Sequence, residues 1–174
     1  MYTWIRLNPS KESETGLRKF IEENRVLILN PKERLHSTIH YSNESPIFQR
    51  PNILEIIKSS LPIKISPISP EYYRFDIFGK THLVLRYESF EVIKLKGNII
   101  NESIRQMICE WPDGLNGDER NILKKSLAER DGRVYFEINP HITLSKFFDE
   151  SGLENLTKFG EEIVFDTFSW TQEK

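Results

Sequence analysis

The chain has 174 residues, 38% hydrophobic and 29% charged, enough for one domain with a sizeable core. Its 24 basic and 26 acidic residues leave a formal charge of −2. That balance argues against nonspecific binding of long nucleic acid, which needs an excess of Lys and Arg. A small nucleotide remains open, because its few phosphates need only a local donor cluster. The opening "MYTWIRLNPSKE" lacks the apolar stretch of a secretory signal, and no run nears the ~20 residues of a membrane span. The single cysteine, Cys109, cannot close an intramolecular disulfide and lies in the apolar pattern "IRQMICEW", which predicts a buried core thiol. A cytoplasmic protein with no membrane association is expected; whether it forms a homo-oligomer is left open.

Taken in chain order, "YTWIRL" (2–7) alternates with period two and predicts a strand, with Tyr2, Trp4 and Arg6 on one side and Thr3, Ile5 and Leu7 on the other. "SETGLRKFIEENR" (13–25) spaces Leu17, Phe20 and Ile21 for a helix. "LHSTIHYS" (35–42) is β-branched at Thr38 and Ile39 and predicts a second strand. A short helix is expected over 52–60. Strands are expected over 62–68, 71–78 and 81–87, with a hairpin turn at Gly79-Lys80. Helices follow over 98–111 and 118–132, the latter with Asp118 as N-cap and Gly132 just past its end. A β region around "VYFEINPHITLSKFF", a short helix in "LENLTKFG" and a strand in "EEIVFDTFSW" close the chain. Mixed helices and antiparallel hairpins give an α+β class in a single domain, 1–174.

One short pattern occurs twice. "HSTI" at 36–39 returns as "HITL" at 141–144, 105 residues later. Residues two apart on a strand share a face, so His36 goes with Thr38 and His141 with Thr143. Regular alternation adds His40 to the first face and Ser145 to the second, and points Lys146 away unless a bulge re-aims it. A helical reading would pair His36 with His40 as zinc ligands. However, the Glu of His-Glu-x-x-His is missing and Ser-Thr-Ile is a poor helix start. No metal and no cofactor is expected.

Two His-x-Thr strands side by side make a workable catalytic set. One imidazole takes a proton from an attacking hydroxyl or water, and the other delivers one to the leaving oxygen. The threonine hydroxyls donate to the nonbridging oxygens of a phosphodiester. Tyr2, Trp4 and Arg6 are candidates to stack a base and hold a phosphate. Tyr72, Arg74 and Asp76 offer a second polar face, with Arg74 the candidate phosphate contact. His82, Trp111 and Trp170 are read as structural.

The paired motifs resemble the 2H phosphoesterase superfamily, whose signature is two His-x-Thr/Ser-hydrophobic motifs. The likeness in layout runs from "YTWIRL" to the closing strand near Phe165. It implies two pseudo-symmetric lobes of antiparallel sheet with outer helices around a central cleft, and catalytic roles for His36, Thr38, His141 and Thr143. "LHSTIHYS" and "NPHITLSK" look most like the phage-encoded branch, which includes phosphodiesterases that degrade the cyclic di- and trinucleotide signals of bacterial CBASS immunity. The substrate so implied is a small cyclic nucleotide, met in a host bacterial cytoplasm. The alternatives are an RNA 2′,3′-cyclic phosphodiesterase and a non-catalytic nucleotide sponge on the same fold. The extra "WPDGLNGDERN" region departs from the pattern, so substrate contacts do not carry over by position.

Overall fold

The computed structural model describes residues 2–25, 28, 31–32, 34–42, 47–75, 80–109, 114–131, 140–146 and 150–173. Seven described strands form one sheet in the order β3-β7-β1-β2-β6-β5-β4, with every pairing antiparallel. In chain order the elements are β1 (Tyr2–Pro9), α1 (Lys11–Glu23), β2 (Ser37–Ser42), α2 (Pro51–Ser60), β3 (Ile63–Ile65), β4 (Pro67–Phe75), β5 (Lys80–Tyr87), α3 (Phe90–Cys109), α4 (Gly117–Asp131), β6 (His141–Lys146), a 3-10 turn (Glu150–Asn155) and β7 (Ile163–Glu173). The class is α+β, as expected. Among the described residues no helix is long and apolar enough to cross a membrane.

Strict alternation in β1 buries Thr3, Ile5 and Leu7 and leaves Tyr2, Trp4, Arg6 and Asn8 half-buried on the other face. The buried side is the helix-covered face. Ile5, Leu7, Leu83, Leu85, Ile142 and Leu144 join Leu17, Phe20 and Ile21 of α1, Ile53 and Ile57 of α2, and the buried stripe of α3 in one cluster. Ser10 caps α1, its Oγ accepting from the Ser13 amide at 3.2 Å.

Several boundaries differ from expectation for local reasons. α3 begins eight residues before 98, because Ser89 Oγ accepts from the Val92 amide and starts the helix at Phe90. The helical spacing of Val92, Leu95 and Ile99 then carries the buried stripe forward. Cys109 is exposed, not buried: it falls two residues beyond Met107, off that stripe. α4 is capped by Asn116, whose Oδ1 accepts from the amides of Asp118 and Glu119, so Asp118 lies inside the helix. The turn residue Gly79, along with Asp76, Trp111, Gly132 and 134–139, lies outside the described residues.

The expected strand over 62–68 is two strands. Ser66 separates β3 from β4, yet these lie at opposite edges of the sheet. Two Cα–Cα steps reach only about 7 Å, so the sheet must bend until its edges approach at that end.

Candidate active site

β2 and β6 are neighbours through the pair Ser37↔Ile142, both fully buried on the helix-covered face. Stepping one residue either way along antiparallel strands sets Thr38 against His141 and His36 against Thr143. Two motifs 105 residues apart in sequence thus meet head to tail, each histidine across from the other motif's threonine. Behind the seam, Ser37 Oγ and Tyr87 Oη share a hydrogen bond of 2.5 Å, fixing the residue between His36 and Thr38. Burial raises the Tyr87 phenol far above its usual range, so it stays protonated.

Both strands carry the same irregularity just after the threonine. On β2 the register runs Arg6↔Thr38 and then Ile5↔His40, so Ile39 is the extra residue of a bulge. On β6 it runs Val84↔Thr143 and then Leu83↔Ser145, so Leu144 is the extra residue. Each bulge inverts the alternation beyond it, and two expectations fall. His40 does not share the face of His36 and Thr38; it stands opposite Ile5 on the helix side, 5% exposed. Ser145 does not continue the face of His141 and Thr143; it stands opposite Leu83, fully buried. Their successors take the open face instead. Tyr41 pairs with Trp4 and is 64% exposed, and Lys146 pairs with His82 and is exposed. The motif as folded is therefore His-x-Thr-aliphatic-buried-open.

The surroundings of His36 are well defined. Its Nδ1–H donates to the Arg34 carbonyl at 3.2 Å, which leaves the Nε2 lone pair to accept. Burial, with the cations Lys32 and Arg6 nearby, lowers its pKa from 6.5 to about 4. At neutral pH His36 is a neutral imidazole, a proton acceptor held in one tautomer. Trp4 stands edge-on to it, ring centroids 5.3 Å apart. The Trp4 indole Nε1–H donates to Thr38 Oγ1 at 3.1 Å, orienting that hydroxyl so that its own proton is available to another acceptor. The Arg6 guanidinium lies over the Trp4 ring at 4.3 Å, and its Nη2 donates to Thr171 Oγ1 at 3.0 Å.

Lys32 completes the cationic side. Its amide donates to the Leu144 carbonyl at 2.9 Å, tying this segment to β6 beside the second motif. Burial, then Lys146 and Arg6, lower its ammonium to about 8. Nothing in the sequence pattern advertised Lys32, which precedes its strand. On the β6 side, His141 stands opposite Arg86, which reaches the Glu71 carboxylate at 2.9 Å. His82, read as structural, lies on the motif face of β5.

Tyr2, Trp4 and Arg6 do line the motif face, and Tyr2 and Trp4 each meet the Tyr41 ring at 6.0 Å. Arg74 pairs with Thr81 across β4 and β5. Trp170 pairs with Ile5 and packs against the core. Among the described residues no group of three or more His, Cys, Asp or Glu is gathered that could hold a metal ion. Compared with known proteins, the chain matches no family model and no curated protein.

Proposed function

We propose that the protein is a 2H-type phosphodiesterase acting without a metal, with small cyclic oligonucleotides as its substrates. The observation that carries this reading is the reciprocal His/Thr register across β2 and β6. With Ser37↔Ile142 as the register pair, it would bring two imidazoles and two hydroxyls together on one face of the sheet. The bend of the sheet supports a cleft: a roll of about seven strands has no room inside for helices, so these belong outside and the motif face lines the concave side, where a small ligand can sit. In this reading β3-β7-β1-β2 and β6-β5-β4 are the two lobes.

In the proposed reaction His36 Nε2 takes the proton of a ribose 2′-hydroxyl, or of a water, as that oxygen attacks phosphorus. His141, protonated, delivers its proton to the departing 5′-oxygen as the P–O bond breaks. Thr38 and Thr143 donate to the nonbridging oxygens, and Lys32, Arg6 and Lys146 offset the charge growing on them. The low pKa of His36 supports it as the base, with His141 as the acid.

A panel of cyclic di- and trinucleotides, run beside an oligonucleotide with a 2′,3′-cyclic phosphate end, tests the reading, with products identified by mass spectrometry. Cleavage of the cyclic oligonucleotides in EDTA is expected. Turnover of the RNA end alone would make the chain an RNA-processing enzyme. If wild type and His141→Ala bind nucleotide equally and neither cleaves, the chain is a sponge.

A further inference from the structure

A cavity of about 280 Å³ opens beside His36, between β1, β7 and the first turns of α1. Arg6, Arg18 and Arg34 line it together with one carboxylate, Glu14. Glu14 Oε1 is already engaged by Arg18, through Nε at 2.9 Å and Nη2 at 2.5 Å. The remaining polar lining is Asn8 and Ser169, joined by a hydrogen bond of 3.3 Å from the serine hydroxyl to Asn8 Oδ1. Arg6 Nε is buried, with no hydrogen-bond partner among the described residues. A buried guanidinium N–H in that state is suited to an incoming acceptor. Three guanidinium groups around one neutralised carboxylate suit a dianion, and planar forks suit phosphate oxygens in particular.

We propose that this cavity is a second phosphate subsite, in which Arg6, Arg18 and Arg34 bind the phosphate one nucleotide away from the scissile one. The inference rests on the phosphodiesterase reading for the identity of the reaction, but not for the binding of the anion. The cavity is too small for a whole dinucleotide, since drug-sized ligands take roughly 300–1,000 Å³. It suits a phosphate with part of its sugar, and His36 on its wall places that phosphate next to the reacting one. Substrates with two phosphates are thereby selected over mononucleotides. Arg6 belongs to both sites: its ring contact with Trp4 faces the motif and its Nε serves the cavity. An anion held here also offsets the field of Arg6 on His36, so occupancy raises the affinity of that imidazole for a proton.

The test needs no turnover. Calorimetric titration of the full chain compares adenosine 3′,5′-bisphosphate with adenosine 3′-monophosphate. The bisphosphate is expected to bind about tenfold or more tightly, the range of one or two charge-assisted hydrogen bonds. In Arg18→Gln/Arg34→Gln that advantage should fall below about threefold by the same arithmetic. In wild type the bisphosphate affinity should also drop more steeply with salt, a reading that does not depend on how the variant folds. Equal affinities in wild type, an advantage that survives the double substitution, or equal salt slopes would each overturn the subsite. A chain that binds the bisphosphate as expected but cleaves no phosphodiester would keep the subsite and sink the phosphodiesterase reading, so the two fail separately.

Discussion

β2 and β6 carry the same motif and the same bulge, yet the two strands are furnished differently. His36 is 6% exposed, its tautomer is set by a backbone carbonyl, and burial, then the cations Lys32 and Arg6, lower its pKa to about 4. Its threonine is oriented by an indole N–H. His141 is half-buried and stands in register with Arg86, whose charge is shared with Glu71. Repetition supplies matching geometry, while neighbours supply an asymmetry that the proposed proton transfers would need. A symmetric site would have two competing bases or two competing acids.

The largest expected effect comes from breaking the pair itself. His36→Ala and His141→Ala should each lower the rate of phosphodiester cleavage by about 10²–10⁴-fold, with nucleotide binding retained in calorimetry. Next comes the test of the asymmetry. His36 should titrate near pH 4 by NMR of its ring protons, so catalysis by it as base fades only as pH falls through about 4. Its folded pKa lies below the 6.5 of an unfolded chain, so the unfolded state binds more protons between these values. Stability should therefore fall as pH drops from about 6.5 to about 4, by at most about 3 kcal/mol. Urea unfolding of wild type and His36→Gln across that window checks this, and a substitution that leaves the pH slope unchanged would refute it.

The bulge is sharpened by an adjacent pair. His40→Ala removes a buried ring and should cost about 1–3 kcal/mol of stability. Tyr41→Ala should change stability by no more than about 0.5 kcal/mol, yet weaken nucleotide binding about tenfold by loss of a stacking ring. The reverse pattern would restore regular alternation and put His40 on the open face. Tyr87→Phe strands Ser37 Oγ behind the seam and should cost about 1–2 kcal/mol in urea unfolding. The smallest effect is expected from Trp4→Phe. It keeps an aromatic beside His36 but drops the bond to Thr38, and should slow cleavage about fivefold with little change in melting temperature.

Much of this was legible in short-range pattern. Period two placed Tyr2, Trp4 and Arg6 on the motif side of β1, and helical spacing found the core face of α1. The His-x-Thr faces were legible for the same reason, since alternation holds within each three-residue motif. It failed one residue later, because a bulge inserts a residue without any composition that announces it, and every position beyond it then changes face. His40 and Ser145 were lost to that, and Tyr41 and Lys146 were hidden by it. Lys32 was invisible, because its place comes from a backbone bond to Leu144, far along the chain. Cys109 is exposed for a plainer reason: its neighbours in sequence are apolar, but the residue itself falls off the buried stripe of α3.

The strand order also bears on how the molecule is made. β4, β5 and β6 come from one unbroken stretch, 67–146, and are neighbours in the sheet. β1, by contrast, is made before that stretch and takes as its outer neighbour β7, which is made after it. On the ribosome the His141 side is therefore complete while the His36 side still has an open strand edge waiting for Ile163–Glu173. The more elaborately furnished histidine is the one whose half of the sheet closes last.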